Sequence, residues 1–383
     1  MRILFVNAIG FVGGAETWIV HLARSLVARG HAVEVAHDPA SPLGDHARAA
    51  GARSWTPPGD FRGVVRSAVS LAREIRRGRY DVVVSTSRSD LKLAGFAARV
   101  AGHPGVVARL NSGWSPSEPV ETRGSRWRRH RWYHRHLVQL AATNSHAGKA
   151  DIVARGYLPE DRITVIYNGI DVERFDPDRT AKGRFRAELG IGPVGELVVS
   201  LARFAPGRGL EAVVDALAAL AARRSGLHAV MIGSCRARHE PFLAELAARA
   251  SGQPGGERVR LLGPRDDVPR VLADADALVR VLSTEGLANV ALEAMAMRVP
   301  VVAADVSGMP EAIQDGRTGR LVPPNDAGAI VAAVEELLDM PETARRALVE
   351  RARDLALRRF GMDRMVADYE TLFDRARKER RPS

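Results

Sequence analysis

The amino-acid sequence predicts an α/β fold with two domains, each built around a parallel sheet. Short apolar runs alternate with helical stretches through both halves of the chain, a pattern typical of parallel strands covered by helices on both faces. At 383 residues the chain is long enough for two domains with full cores. The turn-forming pair Asn168–Gly169 follows the last predicted strand of the first half, so we place the domain boundary there.

Composition indicates a globular protein with an anionic partner. Apolar residues make up 46% of the chain and charged residues 26%, which is ordinary for a globular protein. Lysine and arginine outnumber aspartate and glutamate by 56 to 45, and this net charge of +11 favours an anionic ligand or surface. The single cysteine argues against a disulfide framework. We expect a cytoplasmic protein, because the first residues lack a signal-peptide pattern and no apolar run reaches the roughly 18 residues of a membrane-spanning helix.

The first half opens with a strand, a glycine-containing stretch and a helix. The strand covers Arg2 to Asn7, the stretch contains Gly13 and Gly14, and the helix runs from about Ala15 to Arg29. Glycines allow a backbone to approach a phosphate at a helix N-terminus, although a tight turn alone would also require them. Further strands are predicted at 31–37, 81–86, 105–110, 139–144 and 162–167.

Polar residues follow several of these strands. Ligands of parallel sheets lie outside the carboxyl ends of the strands, so Ser87, Asn111, Ser112 and Gly113 are candidate ligand contacts. Asp38 ends the second strand, where an acid could hold a ribose. An NAD-dependent oxidoreductase is therefore an alternative, weakened because the glycines do not follow the G-x-G-x-x-G spacing.

The segment from Arg123 to His136 is basic and aromatic. It reads RGSRWRRHRWYHRH and contains no acidic residue. Tryptophan and tyrosine favour the boundary between membrane and water, and each nearby arginine adds about 1 kcal/mol of attraction to an anionic bilayer. We interpret the segment as a docking surface for an anionic membrane or acceptor. The alternatives are a solvated helix with its aromatics packed inward, or a single-stranded nucleic-acid patch, which nothing else in the chain supports.

The second half repeats the alternation of strands and helices. Its strands are predicted at 196–202, 228–234, 258–263, 277–282, 299–305 and 319–323. Arg203 ends the first of them, and Arg208 precedes the glycine that opens a long helix. Two guanidinium groups at that junction could hold a pyrophosphate, or could pair with nearby glutamates. We do not interpret the Asp274/Asp276 pair as a metal site, because it lies in a short helical segment.

Two glutamates flank the start of a buried helix in the stretch TEGLANVALEAMAMRVP. Glu285 comes just before the predicted helix start near Asn289, and Glu293 is the only charged residue in an otherwise apolar helix. A carboxylate in such a place needs a cation, a backbone donor or ligand hydroxyls. The free N–H groups of residues 287 to 290 favour an anion at the same point.

The string E-G-L-x-N-V-x-L-E-A-M-A resembles the E-x7-E motif of retaining, nucleotide-sugar-dependent glycosyltransferases of the "glycosyl transferases group 1" family. The resemblance implies the GT-B architecture, with two Rossmann-like domains facing each other across a cleft. These would be an acceptor domain at 1–170, completed by a C-terminal helix at 362–383, and a donor domain at 171–361. It also implies metal-independent transfer of a sugar from a nucleotide sugar, without a cofactor. The basic aromatic segment favours a glycan or lipid-linked glycan acceptor at the inner face of a membrane, and we expect no nucleic-acid partner.

The resemblance assigns roles to particular residues. Glu293 would hold the ribose hydroxyls, Glu285 would lie against the donor sugar, and Arg203 and Arg208 would contact the phosphates, so that Glu285 and these two arginines form the catalytic set. The whole donor site would comprise Gly13, Gly14, Arg203, Arg208, Gly263, Arg265, Glu285, Gly286, Leu287, Ala288, Asn289, Val290 and Glu293. The acceptor would meet Glu16, Ser87, Asn111 and Ser112.

The chain also departs from the family pattern. Arg298 stands where a glycine usually follows the helix, and a non-glycine residue in a left-handed conformation there would cost about 1 kcal/mol. Asn111 falls near a position where many members carry a histidine. A sugar-nucleotide epimerase and a catalytically silent relative are further alternatives.

Overall fold

The computed structural model describes residues 1–8, 14–57, 64–103, 105–111, 125–192, 194–283 and 286–379. These residues form two compact units. The first contains the described residues up to 111, residues 125–167 and residues from 363 onward, and the second contains those from 168 to 362.

In the described part of the first unit, seven strands form a parallel sheet in the order β3-β2-β1-β4-β5-β6-β7. The strands are β1 (Arg2–Asn7), β2 (Ala32–His37), β3 (Arg53–Trp55), β4 (Val82–Ser85), β5 (Val106–Arg109), β6 (Val138–Thr143) and β7 (Ile163–Val165). The strand order reverses between β1 and β4, and such a switch point is where ligands bind in open parallel sheets.

In the described part of the second unit, six strands form a parallel sheet in the order β10-β9-β8-β11-β12-β13. They are β8 (Glu196–Leu201), β9 (Leu227–Ile232), β10 (Val259–Leu262), β11 (Ala277–Arg280), β12 (Val301–Ala304) and β13 (Arg320–Val322). This sheet also reverses its order, at β8, so its switch point lies between β8 and β11.

Helices connect the strands in both units. In chain order they are α1 (Gly14–Ala28), α2 (Leu43–Ala49), α3 (Val64–Gly78), α4 (Arg88–Val100), α5 (Ser125–Leu137), α6 (His146–Ala154), α7 (Arg184–Leu189), α8 (Leu210–Arg223), α9 (Glu240–Ser251), α10 (Val268–Asp274), α11 (Asn289–Ala296), α12 (Met309–Ala312), α13 (Ala327–Leu338), α14 (Glu342–Phe360) and α15 (Met362–Lys378). Across the described residues, none of these helices combines the length and the apolar character needed to cross a bilayer.

The last helix completes the core of the first unit. Phe373 of α15 meets Phe5 of β1 edge to face, with ring centroids 6.5 Å apart. Tyr369 lies 5.2 Å from Trp18 of α1, and all four rings are almost fully buried. Burying such rings contributes about 1.5–3 kcal/mol each, so α15 is part of the core of the folded first unit.

The structure confirms the predicted strands to within one or two residues, with one omission. The three-residue edge strand β3, Arg53–Trp55, lacks the apolar run that marked the others. β12 begins two residues later than predicted, at Val301, after Pro300, which has no N–H to donate to a neighbouring strand. The predicted last helix is confirmed as far as Lys378, and residues 380–383 lie outside the described chain.

The Asp274/Asp276 pair holds α7 and β8 in place. Asp274 is the last residue of α10, so the predicted helical position is confirmed for Asp274 and wrong for Asp276, which lies beyond the helix. Asp274 is buried, and its carboxylate accepts the backbone N–H groups of Gly183, Phe185 and Arg186 at the start of α7. Asp276 accepts the N–H of Leu197 at 2.8 Å and pairs with the Arg186 guanidinium at 2.5 Å. Both carboxylates therefore satisfy protein donors.

Candidate active site

The helix that carries Glu293 begins where the sequence predicted. Helix α11 starts at Asn289, so Glu293 lies one turn into it. The linker residue Asn168 fixes this start: its side-chain N–H group donates to the Asn289 Oδ1 at 2.7 Å and to the Leu287 carbonyl at 3.4 Å. From the sequence, Asn168 is predicted only as a turn residue at the domain boundary. Its amide acts as a support for the site, and only the three-dimensional arrangement reveals this.

Glu293 is partly buried, and its surroundings bring the pKa of its carboxyl close to neutral pH. Burial raises the pKa of its carboxyl to about 7, while the positive charges of Arg174 and Arg280 act in the opposite direction. Arg280, at the end of β11, is itself buried and donates to the carbonyl of Leu201 at the end of β8. Burial outweighs these two charges, so the carboxyl of the unliganded protein holds its proton up to about neutral pH.

The start of α11 offers fewer free N–H groups than we predicted. The N–H of Ala288 donates to the Met309 sulfur at 3.5 Å, and Leu287 and Ala288 are 4% and 3% exposed. The expectation that all four N–H groups from 287 to 290 are free is therefore wrong for Ala288. Gly286, Asn289 and Val290 keep partial exposure, whereas Glu285 lies outside the described residues.

The loop that carries Arg208 is fastened to the segment that leads to Glu285. The N–H of Ser283 donates to the carbonyl oxygen of Arg208 at 2.9 Å, and the Ser283 hydroxyl lies 3.4 Å from the Gly207 carbonyl oxygen. Gly209 has a φ of +81°, and a Cβ there would overlap Oδ1 of Asn325. Glycine is therefore required at this point in the loop.

Arg203 is positioned by a close approach of two chain segments. The backbone N–H of Ala202 donates to the carbonyl of Ile232, the last residue of β9, at 2.9 Å, and that of Phe204 donates to the carbonyl of Ser234, also at 2.9 Å. A Cβ on Gly233 would overlap the Ala202 carbonyl. Gly233 therefore allows the close approach, and the Arg203 side chain remains exposed.

Gly263 and Arg265 were expected at the rim of a nucleobase site. Gly263 is exposed with open space around it. The Arg265 guanidinium instead pairs with Glu188 at 2.5 Å and with Asp267 at 2.8 Å, and it lies over the ring of Phe185. Its charge is thus already neutralised by two carboxylates of the second unit, and a ligand would have to compete with them.

The first unit has a polar cluster at the reversal point of its sheet. The Asn7 side chain donates to Glu16 at 3.0 Å and to the Thr86 hydroxyl at 3.1 Å. Asp90 accepts the N–H of Ala8 at 2.8 Å and the Ser87 hydroxyl at 2.6 Å. Burial raises the pKa of Asp90 to about 6. Glu16 is only 2% exposed and Ser87 caps α4, so both predicted acceptor residues make internal bonds.

Some of the remaining predicted ligand contacts of the first unit lie in the described residues and others do not. Gly14 begins α1, but Gly13 and Ser112 lie outside the described residues. Asn111 is partly exposed, with its amide oxygen facing Arg109. The Asp38 carboxylate accepts the N–H of Ala40, two residues later, at 2.9 Å. One oxygen of this acid, on which the NAD-dependent alternative depends, is therefore used in a local turn.

The basic aromatic segment forms helix α5, and its side chains divide between two environments. His134 is buried and stacks on Tyr157, with centroids 4.6 Å apart. Trp132 is 47% exposed and stacks on Phe96 of α4, which is 39% exposed. Three arginines of the helix are exposed beside these rings: Arg128, Arg129 and Arg135. Residues 123 and 124 lie outside the described chain.

Two units, each with a parallel sheet and connecting helices, form the architecture of the GT-B fold. The chain belongs to the family 4 and group 1 glycosyltransferases: residues 12–174 match the "Glycosyltransferase Family 4" model and residues 195–340 match "Glycosyl transferases group 1".

Relatives agree with this assignment. The chain is 34% identical over 200 residues to a GDP-mannose-dependent phosphatidylinositol monomannoside mannosyltransferase of Mycolicibacterium smegmatis, over 50% of this chain and 51% of that protein. It is 37% identical over 195 residues to a D-inositol 3-phosphate glycosyltransferase of a Mycobacterium species, over 50% and 43%. The matched region thus spans about half the length of these curated relatives. Anabaena HepE, solved with UDP and glucose, shares the fold with a TM-score of 0.86 and 22% identity, over 98% of this chain and 100% of that one.

Proposed function

We propose that this protein transfers a sugar from a nucleotide-sugar donor to a glycan or lipid-linked glycan, with retention of configuration and without a metal or cofactor. The bond from Ser283 to the Arg208 carbonyl carries this proposal. It joins the loop of a predicted phosphate-binding arginine to the segment preceding Glu285, while Glu293 lies in the helix that follows. The mannosyltransferase relative uses GDP-mannose by its name, and HepE was solved with UDP and glucose, which supports a donor of this class.

Stabilisation of the leaving group is the main chemical task of such a site. When the bond from the anomeric carbon to the phosphate breaks, negative charge develops on the nucleoside diphosphate. The guanidinium groups of Arg203 and Arg208 and the N–H groups at the start of α11 would supply positive field in fixed positions. This is the basis for proposing metal-independent catalysis, and full activity in the presence of a chelator is the expected result.

Retention follows if the acceptor attacks the face from which the phosphate leaves. The acceptor oxygen then bonds to the anomeric carbon while the carbon–phosphate-oxygen bond breaks, and the acceptor proton passes to the departing diphosphate. We name no covalent nucleophile. Nuclear magnetic resonance of the first-formed product would show the anomeric configuration, and inversion would rule out this course.

The first test of donor class is thermal denaturation with UDP, GDP, ADP, dTDP, NAD and the matching sugar conjugates. A ligand at 100 times its Kd stabilises by about 2.7 kcal/mol, which is readily measured. We expect Tm to rise with one nucleoside diphosphate and its sugar conjugate. Glu293→Ala should abolish the shift. Glu335→Ala, which removes a carboxylate on α13 that pairs with Arg223 of α8, should leave it unchanged. Near-normal turnover of the Glu293 variant would reject the proposal.

We also propose that a surface of the first unit contacts an anionic membrane. We call it the basic aromatic patch, and it consists of Phe96, Arg128, Arg129, Trp132 and Arg135. Two exposed aromatic rings in contact, with arginines around them, fit the interface of a bilayer, where rings enter the headgroup region and cations meet lipid phosphates. Three arginines would contribute roughly 3 kcal/mol of attraction to an anionic surface.

Sedimentation with vesicles tests this contact. The protein should bind anionic vesicles and not neutral ones, and replacing Arg128, Arg129 and Arg135 by glutamine should abolish binding. A matched control replaces three exposed arginines of the second unit, Arg179, Arg184 and Arg270. Equal loss in the control would show that net charge alone is responsible, and absence of binding by the native protein would refute the proposal.

A further inference from the structure

A buried arginine in the first unit sets the direction of an amide at the sheet edge. Arg109 ends β5, and Asn111 follows two residues later. Nη2 and Nη1 of Arg109 lie 2.6 Å and 3.1 Å from one terminal atom of the Asn111 amide, and we assign this atom as Oδ1 because a guanidinium can only donate. An amide has one acceptor oxygen and one NH2 donor group. Because the oxygen faces the guanidinium, the NH2 group of Asn111 points away from it.

The guanidinium that orients this amide is itself held from other directions. Arg109 is 8% exposed and lies over the ring of Trp18, 4.3 Å from the centroid. The Tyr369 side chain hydrogen bonds to it, and the charge of Glu16 acts on it. A planar guanidinium fixed by these neighbours has little freedom to rotate. The orientation of the Asn111 amide is therefore built in before any ligand arrives.

The position of Asn111 allows the outward NH2 group to contact a ligand. Asn111 keeps partial exposure at the carboxyl end of β5, next to β4 at the edge where ligands of parallel sheets lie. An outward NH2 group can only donate, so its partner must be an accepting oxygen. An amide also does not titrate, so this donor is available at any pH at which the protein folds.

We propose that Arg109 is a positioning residue that presents the Asn111 amide as an N–H donor to a carbohydrate oxygen. The proposal rests on the function proposed above, because it assumes a sugar substrate. The oxygen belongs either to the donor sugar or to the acceptor. The substrate whose KM rises when the hydrogen bond is removed is the one that carries it. Loss of the hydrogen bond should lower kcat/KM by about tenfold.

Asn111→Asp separates this role from a purely structural one. The aspartate keeps an oxygen toward Arg109 and gains a charge-assisted bond, so Tm should be unchanged or higher. It replaces the outward donor with an acceptor, so kcat/KM should fall by about tenfold or more. A rise in the KM of the nucleotide sugar would assign the oxygen to the donor, and a rise in the acceptor KM would assign it to the acceptor. Native kinetics in this variant would overturn the proposal.

A double-mutant cycle tests the part played by Arg109. Arg109→Lys keeps the charge but loses the two-pronged contact, so the amide can rotate and kcat/KM should fall. In an Asn111→Ala background the same change should have little further effect, because the group on which it acts is gone. Fully additive effects would show that Arg109 does not act through Asn111. Absence of sugar transfer by the native protein would instead contradict the proposed function itself, so the two failures are distinguishable.

Discussion

The backbone N–H of Ser283 donates to the carbonyl oxygen of Arg208 at 2.9 Å. Ser283 stands two residues before Glu285, and Arg208 lies in the loop between β8 and α8. This bond ties together two stretches that are far apart in sequence, each with a residue proposed to contact the donor. A change that moves one stretch should therefore disturb the other.

Gly209→Ala tests this coupling. Gly209 has a φ of +81°, which costs an alanine about 1 kcal/mol, and its Cβ would overlap the Asn325 side chain. We expect the loop to shift, with a rise in the Kd of the nucleotide sugar of about tenfold. Isothermal titration would measure this change.

Gly190→Ala is the matched control for Gly209→Ala. Gly190 has a φ of +71° at the end of α7, and a Cβ there would meet open space. The control variant should lose similar stability and bind the donor normally. Equal effects of the two changes on affinity would show that backbone strain alone, and not the position of the Arg208 loop, explains the result.

Glu293→Gln should change how stability depends on pH. Burial raises the pKa of Glu293 from its ordinary value of 4.5 to about 7. Between these values the unfolded chain is ionised while the folded protein retains its proton, so stability falls as pH rises through this window. Glutamine does not ionise and removes this loss. The Tm of the variant should therefore rise relative to native protein between about pH 5 and pH 8.

Donor binding by the native protein should show the opposite trend. If the ionised Glu293 carboxylate accepts ribose hydroxyls, affinity should increase as pH rises through about 7. The glutamine variant should bind weakly at every pH. A native affinity that stays constant over this range would contradict the role proposed for Glu293.

Asp274→Ala should destabilise the second unit without a direct effect on chemistry. The buried carboxylate accepts three backbone N–H groups at the start of α7, and removal leaves these donors without their partner. We expect a loss of roughly 2–4 kcal/mol in unfolding free energy, measured with urea. At a temperature where the variant is folded, kcat should be near native. A selective loss of kcat that added Mn²⁺ or Mg²⁺ restores would instead favour a metal site.

Sequence patterns predicted the sheets well because most buried strands here are continuous apolar runs. β3 was missed because Arg53, Ser54 and Trp55 form a short edge strand that has little to bury. The start of α11 and the position of Glu293 were also predictable, since a single charge in an apolar helix stands out.

The supports of the site were not predictable, because each depends on contacts between distant segments. Asn168 resembled a simple turn residue, yet its amide binds Asn289 across 121 positions. The need for glycine at position 233 was also not predictable, since it comes from the carbonyl of Ala202, which directly follows the neighbouring strand β8. Arg265 was assigned by resemblance alone, and its pairing with Glu188 depends on the fold of this chain.

Arg298 offers a test of strain against ion pairing. The sequence predicted a cost if this residue were left-handed, and its φ of +57° confirms that conformation. The structure adds a compensation: the guanidinium pairs with Glu350 at 2.7 Å and with Asp178 at 2.8 Å.

Arg298→Gly relieves about 1 kcal/mol of strain and loses two surface pairs worth about 0.2–1 kcal/mol each, so its Tm should be close to native. Arg298→Ala keeps the strain and loses the pairs, so it should be the least stable of the three. Thermal denaturation at low and high salt measures this, and salt should narrow the gap between native protein and the alanine variant. An alanine variant as stable as the glycine variant would show that the left-handed backbone carries no cost here.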